Sequence, residues 1–218
     1  APLLAIGLLC SFAVASLGVC PRVLAGWASA NKFSMHGGIR ASAQAISYEL
    51  AMTLAVVGVL MGAGSLRLDE IVLQQGGTWL GMLPRWNVVV QPLGAVIFVI
   101  AVFAETNRLP FDLPEAEAEL VAGYHTEYSS LSFAAFYMSE YIHMTVAAAL
   151  ATTLFFGGWT LPGVELPLGG WPAAFLGMAV FGLKVAMFLW FFVWVRWTLP
   201  RFRFDQLMAL GWKVMLPL

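Results

Sequence analysis

Charged side chains are scarce in this chain, since only 11% of its 218 residues are Asp, Glu, Lys or Arg, whereas 61% are hydrophobic. A soluble domain usually carries about 25% charged residues. The composition therefore excludes an ordinary soluble domain and indicates a polytopic membrane protein surrounded by the lipid bilayer. The formal net charge is −1 and no run of Lys and Arg occurs, so we expect no nucleic-acid partner.

Residues that bind metals or form disulfides are also few. The two cysteines, Cys10 and Cys20, share one apolar segment and match neither a metal quartet nor a disulfide framework. His36, His125 and His143 lack metal-site spacing, and heme ligation would require facing histidines on separate spans. No Gly-rich phosphate loop, P-loop or dinucleotide fingerprint is present. We therefore expect no metal, no bound cofactor and no nucleotide chemistry in this chain.

The main feature of the sequence is a series of long apolar segments. The chain begins APLLAIG without a basic region, which favours a fragment over a signal peptide. A spanning helix needs about 20 mostly apolar residues. We predict an all-α fold, a polytopic transmembrane helix bundle that forms a single membrane domain over residues 1–218. The five predicted spans are residues 3–27, 41–63, 88–104, 131–156 and 172–196, and residues 105–130 form an acidic loop.

The orientation of the bundle follows from the basic residues in its short loops, because Lys and Arg favour the cytoplasmic side. With five spans, residues 28–40, the acidic loop and the C-terminal segment share one side. That side carries Lys32, Arg40, Arg108, Arg196, Arg201, Arg203 and Lys213, and the other carries Arg67 and Arg85. We therefore expect the acidic loop to face the cytoplasm, or the matrix in an organelle.

The acidic loop gathers half of the chain's twelve acids, namely Glu105, Asp112, Glu115, Glu117, Glu119 and Glu127. Asp112 and Glu115 have the spacing of a capping box, so the start of a helix is the alternative explanation for these two, although it does not explain the other acids. Asp112, Glu115 and Glu119 would share one helix face, where like charges repel each other. Clustered carboxylates raise one another's pKa. We interpret the loop as a store of exchangeable protons, with a merely solvated loop as the alternative.

Three ionisable side chains lie inside predicted spans: Glu49, Glu140 and Lys184. Glu49 and Glu140 lie about 13 Å from the acidic-loop side and Lys184 about 18 Å from it, at 1.5 Å per residue. Each costs at least about 2.5–3.5 kcal/mol at a helix centre, so a functional pathway is the expected interpretation. A structural pair of Glu140 with Lys184 is the alternative. With Glu105, the two glutamates predict a column of carboxylates that reaches from the loop into the membrane.

His143 follows Glu140 by about one helical turn and so lies near the same face. A lone histidine in a span is more often a packed, hydrogen-bonded residue than a proton carrier. The sequence therefore leaves its role open.

Four long motifs in this order resemble the quinone-chamber membrane subunit of respiratory complex I, the proton-pumping NADH:quinone oxidoreductase. They are GWASANKFSMHGGIRASAQAISYE, ETNRLPFDLPEAEAELVAGYHTEYS, FYMSEY and VRWTLPRFRFDQLMALGWKVMLP. The resemblance covers nearly the whole chain. It implies a family of eight-span proteins that form most of the chamber in which quinone is reduced.

The resemblance also implies partners, location and residue roles. Quinone is the substrate, FMN and iron–sulfur clusters belong to neighbouring subunits, and the location is the bacterial or mitochondrial inner membrane. The implied proton or charge relay comprises Glu49, Glu105, Glu140, Asp112, Glu115, Glu117 and Glu119. The residues implied to line or support the chamber are Arg40, Arg108, Glu127, Lys184, Arg201, Arg203 and Asp205.

The chain departs from the family pattern at both ends, because it starts near the third span and stops before the eighth. The nearest alternative is the related membrane subunit of ion-pumping ferredoxin-linked hydrogenase complexes. We expect those relatives to carry a changed loop, so the unbroken ETNRLPFDLPEAEAELVAG motif favours the quinone enzyme. A plastid-type complex is another relative, expected to carry a different tetrapeptide in place of ETNR. A proton-coupled transporter would show two related halves with broken helices, and a structural spacer would not carry buried charges.

Overall fold

The computed structural model describes residues 7–79, 83–113, 123–161 and 171–218 of the chain. The described elements are α1 (Gly7–Leu17), α2 (Val19–Ala28), α3 (Lys32–Ala63), α4 (Leu68–Gln74), β1 (Thr78–Trp79), β2 (Leu83–Pro84), α5 (Asn87–Val90), α6 (Pro92–Glu105), a 3-10 turn (Gly123–His125), α7 (Ser130–Phe155), α8 (Trp171–Thr198), α9 (Phe204–Ala209) and a π-helical segment (Leu210–Met215). The prediction of an all-α membrane bundle is confirmed. In the described ranges the only strands are the two-residue strands β1 and β2, which pair antiparallel.

Three of the described helices are long and apolar enough to cross a membrane: Gly7–Ala28, Lys32–Ala63 and Ala174–Thr198. The first of these is divided between α1 and α2. Pro21 explains the division, because it lacks the N–H that would bond to the carbonyl of Leu17. The shorter apolar helix α6 has 14 residues, about 21 Å, which is less than the roughly 30 Å of a bilayer core. The division into five spans stays a prediction.

The helix of the second predicted span begins earlier than expected. The sequence predicts a polar loop over residues 28–40, but α3 begins at Lys32. The Asn31 side chain caps this helix by accepting a hydrogen bond from the Phe33 N–H at 3.1 Å. An Asn directly before a helix satisfies one of its unpaired N–H groups. The GIRASAQ segment therefore belongs to one continuous 32-residue helix.

Close packing joins α3 to its neighbours. A Cβ on Gly26 of α2 would lie 2.7 Å from the Ser34 carbonyl oxygen, so the two helices approach at backbone distance. A Cβ on Gly37 would lie 2.6 Å from the Tyr124 nitrogen, so the 3-10 turn also rests directly on α3. Both contacts require glycine, because any side chain would displace backbone atoms.

The bundle has two ends, and contacts define each. The acidic end contains the end of α6, residues 106–113, the 3-10 turn and the start of α7, and Ser34 there donates to the Tyr124 carbonyl at 2.9 Å. The opposite end contains α4, α5 and the end of α7, where the Asn87 side chain donates to the Leu154 carbonyl at 2.7 Å. Between them lies an aromatic core in which the Phe103 and Phe192 rings are 4.2 Å apart.

Candidate functional site

A buried ion pair lies at the acidic end. The Arg108 guanidinium, just after α6, is 3.4 Å from the Glu140 carboxylate of α7, and their side chains are 10% and 5% exposed. The Tyr124 hydroxyl donates to Glu140 at 3.5 Å, and the Arg108 guanidinium lies over the Tyr141 ring at 4.4 Å. The charge of Glu140 is therefore balanced by Arg108. The alternative that Glu140 pairs with Lys184 is wrong.

A second ionisable pair lies beside the first. His143 Nε2 is 3.2 Å from the Glu105 carboxylate, whose side chain is 7% exposed. Glu105 ends α6 and precedes Arg108 by three residues, and His143 follows Glu140 by three residues. Residues three apart share a face of a helix. Glu140 and His143 therefore share a face of α7, which places the Arg108–Glu140 and His143–Glu105 pairs side by side in one cluster. The column that Glu105 and Glu140 were predicted to share stays a prediction.

Glu49 makes its described contact elsewhere. Its carboxylate accepts a hydrogen bond from the Ser16 hydroxyl of α1. Gln44, five residues earlier in α3, donates to the Ala104 carbonyl at 2.7 Å next to Glu105. Five residues turn a helix by about 500°, so Glu49 lies about 140° around α3 from Gln44 and about 7.5 Å further along it. Glu49 therefore faces α1 rather than the Glu105–Glu140 cluster, and its place in one column stays a prediction.

The described start of the acidic loop is held by the C-terminal segment. Asp112 accepts a hydrogen bond from the Arg201 guanidinium at 2.9 Å. The Phe202 N–H donates to the Pro110 carbonyl at 3.1 Å, and the Phe202 ring stacks on Phe111. Glu115, Glu117 and Glu119, and with them the capping-box alternative, lie outside the described residues. The predicted cluster of loop carboxylates therefore stays a prediction.

Lys184 lies at the opposite end. Its ammonium donates to the carbonyls of Phe156, Gly158 and Thr160 at 2.8, 3.0 and 2.7 Å and lies over the Trp86 ring. These three bonds use all three donors of a lysine ammonium. A cation is favourable at the C-terminus of a helix such as α7. The contacts give Lys184 a structural role, and its predicted place in a quinone chamber stays untested.

The remaining predicted residues lie around the acidic end. Arg40 lies over the Phe204 ring at 5.6 Å, and Glu127 accepts a hydrogen bond from Asn31 at 2.8 Å. Arg203 and Asp205 form an ion pair at 3.7 Å with side chains 80% and 84% exposed. Such an exposed pair contributes little to stability.

Several polar residues of this end were not predicted. Gln44 donates to the carbonyls of both Ala104 and Phe111, which fixes the turn after α6 against α3. Arg22 of α2 acts electrostatically on Glu140. Asn107 is buried, and neither atom of its amide has a partner within the described residues. Asn107 and Arg22 have no distinguishing spacing in the sequence, whereas a polar Gln44 at the apolar start of a span was a signal.

His125 belongs to an aromatic group rather than to the charged cluster. Its ring is 5.3 Å from the Phe133 ring and 5.0 Å from the Tyr124 ring. Burial lowers the pKa of His125, because the charged imidazolium loses its hydration. His125 is therefore a packed neutral residue at neutral pH.

An apolar cavity of about 630 Å³ lies between α6, α7 and α8 on the side of the opposite end. Its lining includes Val96, Ile100, Phe155, Phe188 and Lys184. Within the described ranges, no group of three or more His, Cys, Asp or Glu side chains is arranged to hold a metal ion.

The family model described as NADH dehydrogenase matches residues 1–218. An NADH-quinone oxidoreductase subunit from Cytophaga hutchinsonii is 51% identical over 98% of this chain and 61% of its own length. The corresponding protein from Bdellovibrio bacteriovorus is 47% identical over 97% of this chain and 61% of its own length. NADH-quinone oxidoreductase subunit 8 of Rhodothermus marinus is 48% identical over 98% of this chain and 64% of its own length. The chain thus spans less than two thirds of these relatives.

Proposed function

The chain belongs to the NADH dehydrogenase family, and from this premise we propose that it forms part of a membrane-arm subunit of an NADH:quinone oxidoreductase. In this proposal it helps to build the chamber in which quinone is reduced, and its carboxylates couple that reduction to proton translocation. It crosses a bacterial or mitochondrial inner membrane several times, with the acidic loop on the cytoplasmic or matrix side.

The single observation that supports the coupling role is the buried cluster of Glu105 and Glu140 with their partners Arg108 and His143. Buried charges are expensive, and replacing a buried ion pair by apolar residues often leaves stability unchanged or higher. Stability alone therefore gives no reason for two such pairs side by side. Ionisable groups within spans typically mark ion or proton pathways.

The cluster responds to charge by electrostatics. Quinone reduction adds two electrons and takes up two protons, so negative charge develops near the site before protonation is complete. At a distance of about 10 Å and an effective dielectric constant of about 20, one charge changes the energy of another by about 1.7 kcal/mol. About 1.4 kcal/mol changes a protonation equilibrium tenfold. A nearby quinone can therefore change the proton occupancy of Glu105 and Glu140 without touching them.

The proposal includes the partners that this role requires. Peripheral-arm subunits would supply electrons from FMN and iron–sulfur clusters, with no redox cofactor in this chain, and small membrane-arm subunits would receive the coupled charge. Quinone is the substrate, the bilayer surrounds the helices, and no nucleic acid takes part.

The decisive variant is Glu140→Gln in the full-length protein within the intact complex. We expect assembled complex to persist while quinone-linked NADH oxidation, or the proton uptake coupled to it, falls by about 100-fold or more, a typical scale for a lost proton-transfer group. Glu70→Gln is the matched control, because Glu70 pairs with Arg67 at the opposite end. Normal turnover with normal pumping in Glu140→Gln would contradict the proposal.

A double variant separates the coupling role from structural damage. Glu140→Gln alone leaves the buried Arg108 without its carboxylate, which costs about 3–5 kcal/mol when a buried pair is broken. The double variant Arg108→Gln with Glu140→Gln removes both charges together. If Glu140 only neutralises Arg108, the double variant should regain activity. The proposal expects it to stay inactive.

Co-purification with the full-length protein tests the assignment to this class of complex. We expect an assembly that contains flavin and iron–sulfur clusters and reduces a soluble quinone analogue with NADH. An assembly that uses electrons from reduced ferredoxin to reduce protons, and does not use NADH to reduce quinone, would instead identify the hydrogenase-linked relative.

A further inference from the structure

The two carboxylates of the cluster have different basic partners, Arg108 for Glu140 and His143 for Glu105. Arg108 keeps its charge at any pH at which a protein is folded, whereas a histidine changes charge near neutral pH. We propose that His143 is a positioning residue for proton exchange at Glu105, so that Glu105 and His143 together form a site that holds and releases one proton. The inference rests on the proposed function and adds to it a residue that the implied relay does not contain.

The geometry supports a shared proton. His143 Nε2 is 3.2 Å from Glu105 Oε1, and this is the polar contact of the Glu105 carboxylate within the described residues. A buried carboxylate needs a cation or a hydrogen-bond donor. One proton between Nε2 and Oε1 satisfies Glu105 in either of two forms. The pair is then imidazolium with carboxylate, or imidazole with carboxylic acid. Loss of that proton leaves a neutral imidazole and a carboxylate, so the pair changes from net charge 0 to −1.

The position of His143 suits exchange better than simple packing. Its side chain is 26% exposed while Glu105 is 7% exposed, so the imidazole lies between the buried carboxylate and the outside of the described bundle. A proton that reaches Glu105 by this route passes through His143. The Arg108–Glu140 pair, at 10% and 5% exposure, lacks such an accessible and titratable partner.

Other charged and titratable groups lie on the elements packed around α7. Glu140 lies on α7 itself, and Arg108 and Asp112 follow α6. Arg22 lies on α2 and Tyr124 on the 3-10 turn. Further away, Lys184 and Arg196 lie on α8, and Arg67, Asp69 and Glu70 lie at α4. Because these groups stay in place when His143 is changed, a pH effect specific to His143 can be separated from theirs.

The test is the pH profile of quinone-linked NADH oxidation by the intact complex with His143→Gln, which keeps hydrogen-bonding capacity but cannot take up a proton. We expect the ratio of the variant rate to the wild-type rate to change by roughly tenfold across about pH 5 to 8, because glutamine cannot take up the proton that an imidazole can. His36→Gln is the matched control, since His36 is an exposed histidine on α3, and its profile should not change.

A second measurement keeps the inference falsifiable if His143→Gln lowers the amount of complex. Rates are normalised to flavin content, and His143→Gln is repeated in a Glu105→Gln background. If His143 acts through Glu105, its replacement has no further effect on the pH profile in that background. A uniform loss of rate at every pH, or an undiminished effect of His143→Gln beside Glu105→Gln, would overturn the inference. A complex that never reduces quinone would instead refute the proposed function.

Discussion

The two ends of the bundle hold their basic side chains in different ways. At the opposite end, the Lys184 ammonium is bound by three backbone carbonyls, which cannot change charge. At the acidic end, Arg108 and His143 face the carboxylates Glu140 and Glu105, which can. A cation held by carbonyls fixes the end of a helix. A cation held by a carboxylate forms a site whose charge depends on protons, so the comparison separates a structural contact from a responsive one.

The largest expected effect on stability at the opposite end is that of replacing Lys184. Lys184→Met leaves the carbonyls of Phe156, Gly158 and Thr160 without a donor, which we expect to cost about 3 kcal/mol or more, given about 1.5–3 kcal/mol for a bond to a charged group. Thermal inactivation of the purified complex measures this loss. Lys213→Met, at an exposed lysine, is the control. Unchanged stability with a raised KM for quinone would instead place Lys184 in the chamber.

A matched pair of glutamines compares the two ends directly. Gln44 bonds the Ala104 and Phe111 carbonyls at the acidic end, and Gln75 accepts from the Asn87 and Gly157 N–H groups at the opposite end. We expect Gln44→Leu and Gln75→Leu to cost about 2 kcal/mol each in thermal stability, since each leaves buried backbone groups unpaired.

Their effects on turnover should differ. Only Gln44→Leu should also lower the quinone-reduction rate per assembled complex, because Ala104 precedes Glu105. Equal loss of rate in the two variants would remove the functional distinction between the ends.

A smaller effect concerns pH. Burial places the pKa of His125 in the folded protein below its usual value, so the unfolded chain takes up this proton first as the pH falls. Stability is therefore unaffected by His125 above about pH 6.5 and decreases as the pH falls below it. The wild type should lose more thermal stability between about pH 7 and 5 than His125→Gln. Parallel losses in both proteins would show that His125 is not the group responsible.

The smallest expected effect is at the partly exposed pair of Asp112 and Arg201. Arg201→Gln should lower stability by less than about 1 kcal/mol, because solvent and salt screen such pairs. Arg203→Gln, which breaks an almost fully exposed pair, should have no measurable effect. A loss of several kcal/mol on Arg201→Gln would mean that Asp112 is part of the buried cluster rather than its edge.

Individual residues show how much of the fold and of the site could be predicted from the sequence. Hydropathy indicated the apolar helices, because the need for continuous apolar surface in lipid is a local property. It missed the early start of α3, where the Asn31 cap outweighed the polar residues that followed. The depth of Glu140 within its span marked it as unusual, but the partner suggested for it was Lys184, because the observed partner Arg108 lies in the acidic loop outside the predicted spans.

The sequence by itself determined that this chain is a helical membrane protein of the NADH dehydrogenase family, because composition and long motifs are properties of the chain alone. Only the tertiary structure decided which charges meet. In the folded chain His143 contacts Glu105, Arg108 contacts Glu140 and Glu49 faces Ser16. The Lys184 ammonium is bound by backbone carbonyls. The physical reason is that pairing depends on the rotation and height of each helix relative to its neighbours, and packing between helices sets both.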